Sequence, residues 1–288
     1  MTAVATPAID LAAYFRRIGY PGDTAPTLDV LRAIQLRHSQ TIAFENLNPL
    51  LRWPVRLDPA SLEEKLVLGG RGGYCFEQNT LLRHVLEALG FRVTGLAARV
   101  LWGAPEDAIM PRGHMLLRVD VDKMLYLVDA GFGVLTPTGP LRLEPYIEQA
   151  TPHEPFRLLP VGDDYLMQAK LGAAWRTLYR FGLEEHFLPD YEVTNWYLSH
   201  NPASHFITGL MAARPAAGRR YTLRNADFAI HFLNGRTERR VLGTAVELRE
   251  TLEGPFGLTL PDARELDATL ARIADTATSL GGHDGRNI

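Results

Sequence analysis

His114-Met-Leu-Leu-Arg-Val-Asp-Val-Asp-Lys-Met-Leu-Tyr-Leu-Val-Asp129 reads as two β-strands folded back on one another. Period-two patterning over 114–121 and an apolar, aromatic run over 124–129 flank Asp120-Val121-Asp122-Lys123, which reads as a tight turn. If Val121-Asp122 form the loop, His114 faces Asp129 directly. If Asp122-Lys123 form it, the two are diagonal neighbours on one face. Either loop leaves an imidazole and a carboxylate within hydrogen-bonding reach. Behind the apolar run Leu125-Tyr126-Leu127-Val128, burying Asp129 without a partner would be costly.

Working outward, the same patterning runs from Phe91 to about Phe181, with strands expected at 92–101, 114–121, 124–129, 156–160, 164–170 and 174–180. Successive hairpins predict an antiparallel sheet or barrel. The first ninety residues read mainly as helices. Thr27 caps a helix with Leu28, Leu31 and Ile34 on its apolar stripe, Asp58-Pro59 opens another through Leu66, and a third begins at or near Cys75 and stops at Gly90. Between them lies an irregular segment holding Phe44-Glu45-Asn46-Leu47. After the hairpins come a helix at 190–198, the break Ser199-His200-Asn201-Pro202, and strands at 206–212, 227–233 and 236–242. The last two are joined by Asn234-Gly235, a strong hairpin signal. Helices at 244–252 and 262–275 follow, and the tail GGHDGRNI is expected to be loose. No internal repeat or low-complexity segment is present.

The whole chain, 288 residues with 46% hydrophobic and 22% charged residues and a formal charge of -3, has the composition of a soluble globular protein. Lys and Arg form no basic block, which argues against nucleic acid or anionic lipid as partners. Neither a secretory leader nor a run of about 18 apolar residues is present, so a cytoplasmic, membrane-free location is expected. Nothing in the sequence specifies an oligomeric state. A single cysteine excludes an internal disulfide and any multi-cysteine metal site.

That cysteine sits in Arg71-Gly72-Gly73-Tyr74-Cys75-Phe76-Glu77-Gln78-Asn79, a double glycine leading into a helix. Glycines permit close backbone approach, and a helix N-terminus favours a thiolate and offers N–H groups to an oxyanion. A thiolate nucleophile is best served by an imidazole and an orienting carboxylate. Of nine histidines, only His114 is well placed by local geometry, opposite or diagonal to Asp129. Cys75, His114 and Asp129 are therefore the candidate triad. Ala130-Gly131-Phe132-Gly133 then forms a loop whose aromatic ring either packs in the core or walls a pocket.

RGGYCFEQN around Cys75, His114 at a strand start and VDAGFG around Asp129 resemble the signature of the arylamine N-acetyltransferases. Phe44-Glu45-Asn46-Leu47 is similar to that family's FENL segment, and Asn195 to Phe206 (NWYLSHNPASHF) resembles a later family segment. The matches run from about residue 40 to 206. The resemblance implies an α+β fold: a helical bundle (1–90) carrying the cysteine, a central antiparallel β-barrel (91–195) carrying His and Asp, and a C-terminal α/β lid (196–288). It implies acetyl-CoA as donor and an arylamine, arylhydrazine or related acceptor, with ping-pong transfer through acetyl-Cys75. Pocket-lining roles fall on Phe44, Phe132 and Phe206. One departure is Gly113, where the family often has Thr or Ser before the histidine.

Other features read plainly. His84 lies within the helix after Cys75, and His38, His186, His200, His205 and His231 lack ligand-like spacing, so no metal is expected. No nucleotide-binding glycine fingerprint occurs, and the pairs Arg219-Arg220 and Arg239-Arg240 read more readily as solvated charges than as contacts to CoA phosphates. Competing readings are an amide synthase of the same family using another acyl donor, a transglutaminase-like cysteine hydrolase, and an inactive binding module.

Overall fold

The structure, a computed structural model, describes residues 9–281. Its N-terminal part is helical, as the capping residues require. Asp10 caps α1 (Leu11–Ile18), Thr27 caps α2 (Leu28–Thr41), and Asp58 followed by Pro59 starts α4 (Pro59–Leu62), which continues as a π-helical stretch, Glu63–Leu68. Between α2 and α4 lie the two-residue strand β1 (Phe44–Glu45) and the short α3 (Leu47–Leu50). The helix α5 (Cys75–Ala88) runs through the middle and buries polar Glu77, Gln78 and Asn79 along with its apolar residues.

Seven antiparallel strands follow: β2 (Arg92–Val100), β3 (His114–Val121), β4 (Met124–Val128), β5 (Leu141–Arg142), β6 (Phe156–Val161), β7 (Asp164–Leu171) and β8 (Ala174–Phe181). Their order, β5-β4-β3-β2-β8-β7-β6, curls the ends of the sheet towards each other. Gln149 bridges the gap. Its backbone pairs with Phe156 of β6, while its side chain accepts from Arg142 N–H (2.7 Å) and donates to Arg142 C=O (2.9 Å) on β5. The result is a nearly closed barrel.

The β3–β4 turn uses Asp122 and Lys123, both at positive φ (49° and 64°), so Leu117 pairs with Val128 and Val121 with Met124. This is the diagonal register of the two expected. It divides the hairpin cleanly by face: Met115, Leu117, Val119, Tyr126 and Val128 pack on the helices, whereas Leu116 and Leu127 fill the barrel. His114 and Asp129 share the parity of the barrel-facing set.

The remaining chain forms α6 (Leu188–His200), α7 (His205–Thr208), β9 (Met211–Ala216), β10 (Arg219–Arg224), β11 (Asp227–Phe232), β12 (Thr237–Val241), α8 (Ala245–Glu253) and α9 (Arg264–Gly281). Two expectations change here. The run 206–212 is not one strand: Ser204 caps the helical turn α7, and β9 starts only at Met211. The strand β10 was not expected, because charged Arg219, Arg220 and Arg224 obscure its alternation. The Asn234-Gly235 hairpin does join β11 to β12, with Gly235 at φ 89°.

A second sheet has the order β1-β9-β10-β11-β12, so Phe44 and Glu45 pair with Ala213 and Ala212 far along the chain. α8 and α9 pack with this sheet around Leu248, Phe256, Leu266 and Leu270. The position 195/196 falls inside α6. Beyond Gly281 the tail lies outside the described residues. No helix among those described is long and apolar enough to cross a membrane.

Candidate active site

Cys75 is the first residue of α5, and the turn before it is held from below by buried charges. Glu77 Oε2 accepts the Tyr74 N–H (3.1 Å), its Oε1 pairs with Lys65 Nζ (2.6 Å), and Arg71 pairs with Glu45 (2.8 Å). Burial raises Glu77 above the usual carboxylate range despite Lys65. Two glycines are sterically required. A Cβ on Gly72 would lie 2.1 Å from Ala43 O, and one on Gly131 would lie 2.7 Å from Cys75 Cα. The loop after Asp129 can therefore press directly against the cysteine backbone.

His114 Nε2 lies 2.7 Å from Asp129 Oδ2, and Cys75 is near enough to help hold the ring in its charged form. With Nε2 committed to the carboxylate, Nδ1 is the nitrogen left for the sulfur. The Cys75 thiol also approaches Gly113 C=O at 3.8 Å. His114 and Asp129 are 2% and 1% exposed, so both would resist charging alone. For His114, burial disfavours the cation, but the charge and hydrogen bond of Asp129, together with Cys75, outweigh it and raise its pKa to about 10. For Asp129, burial works upward, yet His114, Asn79 and the Gly131 N–H hold it below the usual range.

Two residues not singled out from the sequence complete this network. Tyr179 OH on β8 donates to Asp129 Oδ2 (3.1 Å), and burial plus the carboxylate charge keep its phenol protonated. Asn79 Nδ2 donates to Asp129 Oδ1 (3.0 Å) and Met115 C=O (2.7 Å), while its Oδ1 accepts the Ala130 N–H (2.9 Å). Asn79 stands one helical turn beyond Cys75 and so fastens α5 to both barrel strands.

Above Cys75 and His114 opens a cleft of about 680 Å³ between the barrel and the second sheet. Phe44, Phe132 and Phe206 all line it, arriving from β1, the loop after Asp129 and α7. Phe132 sets its edge against His114 (ring centroids 5.3 Å apart), and Phe206 packs edge-on against Tyr74 (5.1 Å). Arg224 and Arg239 also line the cleft, and neither forms an ion pair among the described residues. Arg220, by contrast, is not solvated: it is buried against Glu154 with paired hydrogen bonds of 2.9 and 3.0 Å.

The family model described as N-acetyltransferase matches residues 27–265. The chain is 46% identical over 281 residues to the arylamine N-acetyltransferase of Mycobacterium tuberculosis, covering 96% of this chain and 99% of that one. The chain belongs to the arylamine N-acetyltransferase family. A solved arylamine N-acetyltransferase from Mycobacterium marinum in complex with CoA is similar throughout, with TM-score 0.88, 43% identity and coverage of 92% and 99%. The Salmonella typhimurium arylamine N-acetyltransferase / N-hydroxyarylamine O-acetyltransferase is 36% identical over 91% of this chain and 94% of its own.

The candidate site lies where the barrel meets the helical part, Cys75 coming from α5 and His114 and Asp129 from the β3–β4 hairpin. Asn79 on α5, Gln35 on α2 and the close approach of Gly131 to Cys75 are among the points of contact. Of the other described histidines, His205 also lines the cleft, whereas His38 serves the fold behind the cysteine turn. Tyr14 OH, His38 and Gln78 form a buried chain (2.8 and 2.7 Å), and Gln78 Nε2 holds the carbonyls of Ile42, Ala43 and Gly73 behind the cysteine turn. Among the described residues, no group of three or more His, Cys, Asp or Glu is arranged to hold a metal.

Proposed function

We propose that the protein transfers the acetyl group of acetyl-CoA to the nitrogen of an arylamine or arylhydrazine through an acetyl-Cys75 intermediate. The supporting observation is the buried His114–Asp129 hydrogen bond set beside Cys75 in the lining of one aromatic cleft. Cys75 acts as nucleophile, His114 as acid and base, and Asp129 as the group that orients His114 and balances its charge. Phe44, Phe132 and Phe206 form the apolar walls that receive a flat acceptor and exclude water. The CoA phosphates meet Arg224 and Arg239, the two unpaired cations of the cleft. The units 1–90, 91–195 and 196–288 then contribute the nucleophile, the His–Asp pair and the roof.

In the first half-reaction the Cys75 sulfur bonds to the acetyl carbon while the carbon–sulfur bond to CoA breaks. The departing thiolate takes a proton from His114. Thioester exchange is nearly balanced, so the acetyl-enzyme keeps its transfer potential. In the second half-reaction the amine nitrogen attacks that carbonyl, His114 Nδ1 accepts the amine proton, and the thiolate leaves. The N–H groups at the start of α5, which have no intrahelical acceptor, stabilise the oxyanion in both steps.

Intact mass after brief mixing with acetyl-CoA, followed by addition of an arylamine, tests this reading. One acetyl group on wild type, none on Cys75→Ser, and discharge as acetylated amine are expected. An adduct lost at the same rate without amine would make the protein a hydrolase. No adduct and no CoA release would remove acetyl-CoA as donor.

A further inference from the structure

We propose that Glu106 is a positioning residue for the transfer reaction, clasping the β2–β3 loop (101–113) to the outer face of the barrel so that the loop's apolar side chains wall the cleft near Cys75. The inference rests on the reading of that cleft as the substrate site. Its starting point is a loop that lines the cleft without being held by burial.

Ile109 is 94% exposed, and Trp102 and Met110 are 44% and 37% exposed, so little apolar surface is buried to fix the loop. Its internal bonds, Ala104 N–H to Leu101 C=O (2.9 Å) and Ala108 N–H to Pro105 C=O (3.1 Å), shape it without attaching it. At its start the Leu101 and Trp102 N–H groups both donate to Leu178 C=O (2.8 and 3.1 Å), where a bulge shifts the β7–β8 register. At its end Arg99 donates to Met110 C=O, and the exposed pair Arg112–Glu184 spans 3.4 Å. Over 103–109 the Glu106 carboxylate makes the only hydrogen bonds to another element among the described residues.

The groups that receive Glu106 are already set. Its Oε1 accepts from Thr177 OH and from Gln168 Nε2 (3.3 Å), and Gln168 Nε2 also donates to Thr177 Oγ1 (2.9 Å). Gln168 Oε1 accepts from Arg157 Nε (2.8 Å), which fixes the amide with its NH2 group towards Glu106, and the Arg157 guanidinium lies 4.2 Å from the centre of the Trp175 ring. Arg157 and Gln168 alternate with Phe156, Leu158, Met167 and Ala169, which fill the barrel, and so stand on its outer face. From the clasped loop, Trp102, Met110 and Pro111 join Leu198 in the lining of the cleft. The catalytic carboxylate is anchored separately, Asp129 being held by Asn79, Gly131 and Tyr179. Releasing Glu106 therefore loosens a wall of the cleft while leaving Cys75 and His114 as they are.

The test compares wild type, Glu106→Ala, Glu106→Gln and Thr177→Val in three assays: steady-state acetylation of aniline by acetyl-CoA, alkylation of Cys75 by iodoacetamide, and the rate of tryptic cleavage after Arg112 read by mass spectrometry. Glu106→Ala and Thr177→Val should raise the KM for aniline by about fivefold, the weight of one hydrogen bond, with kcat nearly unchanged. Both should be cut faster after Arg112 and alkylated at the wild-type rate. Glu106→Gln should behave as wild type, because the amide oxygen accepts the same two bonds. Thr177→Val approaches the clasp from the barrel side, and either variant decides the matter if the other does not fold. An unchanged KM in the folded variants overturns the inference, as does a Glu106→Gln protein as impaired as Glu106→Ala, or a joint fall in kcat and alkylation. A wild type that transfers no acetyl group overturns the reading of the cleft instead, and the cleavage rates then decide the clasp by themselves.

Discussion

Replacing Asp129 by asparagine alters one end of a carboxylate and, by the geometry of the site, reverses the proton role of His114. In the wild type Oδ1 accepts from Asn79 Nδ2 and the Gly131 N–H, while Oδ2 accepts from His114 Nε2 and Tyr179 OH. Asn79 Nδ2 and the Gly131 N–H can only donate, so the oxygen of the new amide must occupy the Oδ1 position and its NH2 group the Oδ2 position. That NH2 donates to His114 Nε2 and turns it into an acceptor. The ring proton then sits on Nδ1, facing Cys75, where it cannot receive the thiol proton.

The magnitude follows from the electrostatics. The site raises His114 from 6.5 to about 10 against the pull of burial, a preference for the cation of about 4–5 kcal/mol at 1.36 kcal/mol per tenfold. Without the carboxylate charge, burial is opposed only by Cys75, and His114 is expected to be neutral at pH 7. Alkylation of Cys75 by iodoacetamide, followed by mass spectrometry, should therefore slow by about a hundredfold to a thousandfold at pH 7 in Asp129→Asn. Thermal melts supply an independent check of sign. Because the folded pKa of His114 is raised, its contribution to stability is complete below about 6.5 and is lost as pH rises towards 10. That alkaline slope should flatten in the variant. A folded Asp129→Asn protein alkylated at the wild-type rate would refute the charge coupling of the three residues.

Three further outcomes are expected. Tyr179→Phe keeps the ring packing on His114 and Phe132 but removes one donor to Asp129, which should cost about 1–3 kcal/mol in thermal or urea unfolding and less than tenfold in kcat/KM. His38 is driven down to about 4, chiefly by burial, so the unfolded chain takes up a proton below 6.5 that the folded chain refuses. Stability should accordingly fall by about 3 kcal/mol as pH drops from 6.5 to 4, and His38→Gln should show a shallower acid limb in melting temperature. Lys65→Met leaves the Glu77 carboxylate buried without its nearest cation and should cost about 3–5 kcal/mol, while adding Glu77→Gln should recover much of that loss in the same unfolding assay.

What was legible in the sequence was whatever neighbouring residues decide among themselves. The β3–β4 hairpin is such a case: alternation and a two-residue turn allowed two registers, and the left-handed conformations of Asp122 and Lys123 select one. Thr27 and Asp58 announced their helices in the same local way. The family of the chain and the convergence of Phe44, Phe132 and Phe206 were reached through motif resemblance, since no periodicity relates three rings on three separate segments. Features that depend on distant partners stayed hidden. β1 is a strand only because β9 lies beside it, Arg220 is buried only because Glu154 meets it, and Tyr179 looks like any aromatic strand residue until its hydroxyl is seen on Asp129.

Asn79 lies between these cases, and its lesson is physical. It follows Cys75 by four positions, so on α5 it points in nearly the same direction as the thiol. A side-chain amide there, on a helix buried enough to be a core element, must find donors and acceptors on whatever faces the cysteine. The facing groups are the His114–Asp129 strands, and Asn79 does bond Met115, Ala130 and Asp129. The residue one turn beyond Cys75 therefore ties α5 to the strands that carry His114 and Asp129. Its polarity, on a buried helix and one turn from the cysteine, is the signal that was available.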